Sequence, residues 1–199
     1  SAMARFVHYR AHGLSAELQT TVSEQFAALR AARPWRGQPP WIATERSSSL
    51  FEMEYLRHVR EEEGDSVGAA GFFKLEGDET DALVLVLFLR DLSAEHGVRV
   101  AVRDADHPLS KLRYLEFRGG AMPSGNSLEQ LLSRRPMTKK VDGRPIAFYA
   151  PSHPLNARRA GEPYRWGYRV GAIRAFAPTL LEAEREAMKL HRALSHLGA

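Results

Sequence analysis

Apolar and polar side chains alternate over several short segments of the chain, most regularly in residues 163–176, PYRWGYRVGAIRAF. From position 164 to 170 the even positions are aromatic or apolar, and the odd ones are arginine or glycine. This period of two predicts a half-buried strand with one aromatic and one cationic face, because successive side chains of an extended backbone point to opposite sides. The alternation changes phase after Gly171, which predicts a β-bulge that places Arg174 beside Arg165 and Arg169.

Apolar residues at three- and four-residue spacing predict two capped helices. The first begins after Ser15 and ends before Pro34. The second begins after Thr179, runs toward the C-terminus and carries one apolar seam, which is typical of a helix that packs on a sheet. The segment Pro34–Trp41, with three prolines and one glycine, predicts a loop.

Two further segments fit both helix and strand. The residues after Ser49 have a capping-box pattern but also alternate, and we favour a helix. Acidic residues from Asp78 onward favour a helix that ends at His96 before a left-handed Gly97, although Ala82–Leu89 within it is also typical of a strand.

The order of elements predicts the fold class. Alternation predicts strands at Val98–Asp104 and Leu112–Arg118, and short strands are also expected at Arg5–Arg10, Phe72–Leu75 and Pro145–Pro151, the last bounded by prolines. With the helix after Asp78 and a short one opening at Ser127, residues 66–150 read strand, helix, strand, strand, helix, strand, the split β-α-β order of ferredoxin-like folds. We therefore expect an α+β chain with a mixed or antiparallel sheet, a ferredoxin-like core at about 66–150 and an amphipathic C-terminal helix.

The chain has 199 residues, which suits one α+β domain over residues 3–199. A possible internal division near residue 65 would separate a strand-helix region, 3–65, from a sheet-rich basic region, 66–199. The first residues lack the apolar segment of a secretory signal, and Ser1-Ala2 before Met3 resembles a remnant of tag cleavage.

The absence of cysteine excludes disulfides, thiolate metal sites and a cysteine nucleophile, and is typical of a cytoplasmic protein. The longest apolar run, Ala82–Leu89, is far shorter than the roughly 20 residues of a membrane-spanning helix, so no membrane partner is expected.

The charge is distributed unevenly along the chain. The net charge is +4, yet residues 1–97 carry −5 and residues 98–175 carry +9. Such a basic segment favours an anionic partner, either nucleic acid or an acidic protein. The alternative is that the acidic and basic parts neutralise each other within the folded chain.

Motifs for catalysis are few. The sequence contains no phosphate-binding glycine loop, no G-x-S-x-G and no H-E-x-x-H, so no cofactor and no metal site are expected. His153, in a proline-interrupted loop of the basic region, is the one weak candidate for a general base, which in a metal-independent ribonuclease would act on a phosphodiester.

Cations with interleaved aromatic residues are the strongest candidate site, because arginine and lysine neutralise phosphates and planar rings stack on bases. The candidate anion-binding residues are Arg134, Arg135, Lys139, Lys140, Arg144, Arg158, Arg159, Arg165, Arg169 and Arg174. The leading hypothesis is a non-enzymatic protein that binds nucleic acid or another polyanion through this surface. An adaptor or immunity-type protein that binds an acidic protein is the second. The arginine row acts in binding if its sheet face also receives the segment Lys139–Arg144, and is otherwise only solvated.

Overall fold

The computed structural model describes residues 5–104, 115–122, 137–151, 153–156, 160–162 and 165–198. The chain forms two compact units, residues 1–125 and 126–199, which we call the N-terminal and C-terminal units. The expectation of one domain over residues 3–199, with a possible division near residue 65, stays a prediction. Among the described helices, none is both long enough and apolar enough to cross a bilayer.

The N-terminal unit contains three helices and five antiparallel strands among its described residues. These elements are β1 (Arg5–His12), α1 (Ala16–Ala32), β2 (Ala43–Thr44), α2 (Leu50–Glu63), β3 (Val67–Leu75), α3 (Glu79–His96), β4 (Arg99–Asp104) and β5 (Leu115–Arg118). The strand order is β2-β3-β1-β4-β5, so the first strand of the chain lies in the middle of the sheet.

Alternation along β1 divides the sheet into two faces. Val7, Tyr9 and Ala11 are buried beneath α1 and α3. The Tyr9 ring stacks on Phe26 of α1 with the centroids 5.6 Å apart, and Phe26 meets Phe88 of α3 edge-on at 5.0 Å. One face of the sheet therefore forms the main core of this unit.

The helix α2 covers part of the other face. Leu56 and Val59 of α2 pack with Ala43 of β2 and with Val67 and Ala70 of β3 in a second apolar cluster. The helix favoured after Ser49 is thus confirmed, and the Ser49 hydroxyl accepts the amide of the third helical residue.

The helix α3 contains the apolar run that also fitted a strand. It begins after Asp78, whose side chain caps it, and ends at Gly97 with φ 64°. Leu85 and Leu89 are almost completely buried. A helix with apolar residues on most sides shows a continuous apolar run, so periodicity alone did not separate helix from strand.

The C-terminal unit is a four-stranded antiparallel meander followed by a helix. Its elements are β6 (Met137–Val141), β7 (Arg144–Tyr149), β8 (Trp166–Val170), β9 (Ile173–Ala177) and α4 (Leu180–His196), with a short 3₁₀ turn at Pro154–Asn156. α4 is the predicted C-terminal helix, and its cap Thr179 accepts the Glu182 amide at 3.2 Å. Asp142 and Gly143 both have positive φ, as the tight turn between β6 and β7 requires.

The α+β class with antiparallel sheets is confirmed, but the ferredoxin-like core over residues 66–150 is not. β3 and β4 both pair with β1, which precedes that range, and β6 and β7 belong to a separate sheet. The five-strand order also differs from a simple ferredoxin fold. The order of elements along the chain does not determine which strands pair, because pairing depends on contacts between distant segments. The helix predicted at Ser127 lies outside the described residues.

The predicted bulge at Gly171 is wrong. Gly171 and Ala172 form a two-residue turn between β8 and β9, closed by the pair Val170 and Ile173. A glycine with positive φ, here 59°, in the first central position is typical of tight hairpins. A turn of two residues also reverses the phase of alternation, which is why it resembled a bulge in the sequence.

A buried ion pair fixes the proline-rich loop after α1. The Arg33 guanidinium donates to the carboxylate of Asp81 on α3 at 2.6 Å, and both side chains are buried. The second carboxylate oxygen of Asp81 accepts the backbone amide of Arg36 at 3.1 Å. One carboxylate therefore anchors the end of α1 and the following loop to the first turn of α3.

Replacing this carboxylate tests its role. Asp81→Asn removes the charge and leaves the Arg33 guanidinium buried without a carboxylate from Asp81, so we expect the free energy of unfolding in urea to fall by about 3–5 kcal/mol. Asp91→Asn is the matched control on the same helix, because Asp91 is 69% exposed beside Arg90, and its expected effect is below about 1 kcal/mol. Equal losses for the two variants would contradict a structural role for the buried pair.

Candidate anion-binding face

The sheet of the C-terminal unit has one face covered by α4 and one face directed away from it. Residues directly opposite in an antiparallel pair lie on the same face of the sheet. Tyr168 pairs with Phe148, and both are buried on the α4 side. Arg169 pairs with Ala147 on one side and with Arg174 on the other, so these residues lie on the face away from α4.

Four cations lie on this second face. We call it the cationic face and define it by its charged residues, Lys140, Arg165, Arg169 and Arg174. Lys140 and Arg174 are exposed, whereas Arg165 and Arg169 are partly exposed. The predicted arginine row is therefore on one face, with a lysine from the opposite edge strand.

The two central arginines oppose each other. Arg169 of β8 and Arg174 of β9 are a direct cross-strand pair. Side chains in such a pair have Cβ atoms about 4.5–5.5 Å apart, and like charges in this position destabilise the sheet. Among the described residues, no carboxylate pairs with either guanidinium. The register thus concentrates positive charge at this point.

Two of the arginines lie over aromatic rings. The Arg165 guanidinium lies 3.7 Å from the centroid of Phe176, and its Nη2 lies 3.7 Å from a carboxylate oxygen of Glu162. The Arg174 guanidinium lies 5.6 Å from the centroid of Tyr149. Such contacts orient a guanidinium and leave its remaining N–H groups available for an anion.

The short turn after β7 positions this part of the face. The Asn156 amide donates to the carbonyls of Tyr149 and Ala150 and, at 2.8 Å, to that of Arg165. The Arg174 guanidinium also donates to the Leu155 carbonyl at 3.4 Å. Asn156 therefore links the end of β7 to the residue just before β8, and so fixes the start of the arginine row.

Lys139 and Arg144, two of the predicted site residues, lie on the opposite face. The Lys139 ammonium lies 3.5 Å from a carboxylate oxygen of Glu184 on α4. The Arg144 guanidinium donates to Nδ1 and to the carbonyl of His191, each at 3.0 Å. The segment Lys139–Arg144 is a hairpin of the same sheet, and of its cations only Lys140 reaches the cationic face.

The remaining predicted cations lie outside the described residues. They are Arg134, Arg135, Arg158 and Arg159.

The aromatic residues of β8 do not take part in the cationic face. Trp166 and Tyr168 are buried on the α4 side, as the alternation indicates. The Tyr168 hydroxyl donates to Glu186 at 2.8 Å, and burial together with this contact raises the pKa of Tyr168 to about 12. These rings therefore cannot stack on a base without opening the contact with α4.

Most of the carboxylates that the structure describes in this unit lie away from the cationic face. Residues 126–199 contain 13 lysines and arginines against 6 aspartates and glutamates, a net charge of +7. Glu182, Glu184 and Glu186 lie on α4, and Asp142 lies in the turn before β7, where it accepts His191 Nε2–H at 3.0 Å. Of the carboxylates that the structure describes here, Glu162 alone contacts a cationic-face residue.

The geometry of His153 favours a structural role. The side chain is buried, and its ring packs against Tyr149 with the centroids 5.2 Å apart. Nδ1 accepts the backbone amide of Leu155 at 3.0 Å. A general base must reach a proton on the substrate, and here burial and this hydrogen bond hold the imidazole within the fold.

Among the described residues, no group of three or more histidines or carboxylates is placed to hold a metal ion.

Comparison with known proteins found no matching family model, no similar curated protein and no similar solved structure.

Repulsion between Arg169 and Arg174 should lower the free energy of unfolding, and reversing one of the two charges tests this. Arg169→Glu creates an opposite-charge pair with Arg174, so we expect the free energy of unfolding to rise by about 0.2–1 kcal/mol at low salt. Lys140→Glu is the control with the same change in charge, because Lys140 pairs with the uncharged Pro145.

Urea denaturation of both variants at low and high salt checks this prediction. The increase in the free energy of unfolding should occur in Arg169→Glu and not in Lys140→Glu. It should be smaller in high salt, where the charges are screened. A loss of stability in Arg169→Glu that exceeds the loss in Lys140→Glu would contradict repulsion between the two arginines.

Proposed function

We propose that the C-terminal unit binds the phosphate backbone of nucleic acid through the cationic face. The observation that carries the proposal is the direct opposition of Arg169 and Arg174. Like charges placed face to face lower the stability of the sheet, whereas a phosphate between them would turn the same arrangement into a favourable one.

The chemistry of the face supports phosphate as the ligand. Arginine is planar and carries several donors, which suits bidentate contacts with phosphate oxygens. The rings of Tyr149 and Phe176 on this face already lie against Arg174 and Arg165. On the cationic face, guanidinium groups are therefore available to phosphates, whereas the rings beneath them are not available to stack on bases. We expect binding to depend little on base sequence.

An acidic protein is the competing partner for the same charges. We favour nucleic acid because its charges repeat regularly, and the cations on β6, β8 and β9 form an extended array rather than one compact pocket. Binding by an acidic protein is an outcome that the experiment below distinguishes. The geometry around His153 gives no support to the ribonuclease alternative.

The proposal predicts a salt-dependent affinity that depends on two residues. We expect Arg169→Ala combined with Arg174→Ala to weaken binding to a 20-base-pair DNA duplex at least tenfold in 50 mM salt. The slope of log affinity against log salt should fall by about 0.9 for each duplex phosphate contact that is lost. Fluorescence anisotropy at several salt concentrations measures both quantities, and a single-stranded RNA of equal length tests RNA by the same assay.

The control variant is Arg185→Ala combined with Arg192→Ala, which removes the same charge from exposed positions of α4. It should retain the affinity of the unchanged protein within about twofold. Equal weakening by both double variants would indicate a general effect of net charge and overturn the cationic face as the site. Retention of a protein partner from nuclease-treated lysate, combined with no affinity for DNA or RNA, would overturn nucleic acid as the ligand.

A further inference from the structure

The N-terminal unit carries aromatic side chains on the face of its sheet that points away from α1 and α3. Phe6 and His8 lie at the outward positions of β1, and Phe72 lies directly opposite His8 on β3. The three ring centroids are 5.9–6.4 Å apart. The helix α2 covers part of this face, where Tyr55 meets Phe72 at 5.4 Å, yet Phe6, His8 and Phe72 all remain partly exposed. The solvated part of an antiparallel sheet is usually polar, so these exposed rings depart from the ordinary pattern.

The rings continue toward the start of α2. Trp41 meets Phe72 edge-on at 4.9 Å, and Phe51 in the first turn of α2 lies 5.5 Å from Trp41. The Tyr9 hydroxyl, from the other face of the sheet, donates to the Trp41 carbonyl and holds this residue in place. We call the five rings of Phe6, His8, Phe72, Trp41 and Phe51 the aromatic strip.

The aromatic strip is accessible to a ligand. Phe51 is 59% exposed, and the other four side chains are partly exposed. Neighbouring aromatic side chains that remain partly exposed mark a contact surface more often than a single exposed ring does.

Two exposed cations flank the strip. Lys74 pairs directly with Phe6 across β3, and Arg103 pairs directly with His8 across β4. Residues in direct register share a face, so one cation lies on each side of the rings of β1. Lys74 is also within 3.1 Å of the Glu76 carboxylate, a surface ion pair that water and salt weaken. A ligand that combines planar rings with negative charge complements this arrangement.

We propose that the aromatic strip binds unpaired bases of single-stranded nucleic acid, with Lys74 and Arg103 contacting the adjoining phosphates. Sheets with outward rings on their central strands can stack successive bases in this way, and the stacking tolerates any base because each has a π face. This site differs from the cationic face in chemistry, since it recognises bases and the cationic face recognises phosphates.

A backbone without bases separates the two modes of binding. We would titrate the full chain with fluorescein-labelled (dT)₈ and with an eight-unit abasic oligonucleotide of equal charge, in 150 mM salt. The proposal predicts at least fivefold tighter binding of (dT)₈. The same preference should persist in the Arg169→Glu variant, in which the cationic face is impaired, so the two proposals can fail separately.

Matched variants on α2 locate the stacking. Phe51→Ala should weaken (dT)₈ binding about fivefold or more and leave the abasic oligonucleotide unaffected. Leu50→Ala, at the adjacent and 72% exposed position, is the control for loss of apolar surface and should change neither affinity by more than twofold. Both residues are exposed, and circular dichroism would verify that each variant is folded.

Three outcomes would overturn the proposal. They are equal affinity for (dT)₈ and the abasic oligonucleotide, equal effects of Phe51→Ala and Leu50→Ala, and no detectable (dT)₈ binding at all. The second outcome would indicate that Phe51 contributes only apolar surface and does not stack on a base.

Discussion

The register between β8 and β9 is the constraint on which the proposed function of this chain depends. A two-residue turn at Gly171 and Ala172 fixes Arg169 directly opposite Arg174. A shift of β9 by one residue would place Arg174 on the α4 side and move Ala175 and Ala177 to the opposite face, so the apolar residues beneath α4 favour the observed register. Packing of the apolar side chains against α4 therefore fixes the register of the strands, and this register holds Arg169 and Arg174 opposite each other despite their like charges.

The same sheet separates its charges by face. Lys139 and Arg144 point toward α4, where they contact Glu184 and His191. These contacts stabilise the packing of α4 on the sheet. The cations on the other face have Glu162 as their described acidic neighbour. Among the described residues of this unit, four cations against one carboxylate lie on the cationic face, whereas the cations on the α4 side are accompanied by the glutamates of α4 and by Asp142. An excess of positive charge on one face is what an extended anionic ligand requires.

Sequence patterns predicted the local elements well and their pairing poorly. Caps at Ser15, Ser49 and Thr179 begin helices where the hydroxyl residues predicted them, because capping is a local interaction. The ferredoxin-like core was not confirmed, because β1 pairs with strands about 60 and 90 residues later and no local signal encodes that choice. For the candidate site, alternation correctly put Arg165 and Arg169 on one face. It could not show that Lys139 faces α4 or that Arg165 lies over Phe176, since both follow from contacts between strands.

Binding at the cationic face can be tested by mapping where a nucleic-acid ligand contacts the chain. Titration of ¹⁵N-labelled protein with a short DNA duplex, followed through the backbone amide and arginine Nε–H signals, gives a residue-by-residue answer. If the cationic face binds nucleic acid, the largest shifts occur at Lys140, Arg169 and Arg174, and the exposed positions of α4, such as Arg185, change little. Shifts concentrated on α4, or an unchanged spectrum at low salt, would contradict binding at this face.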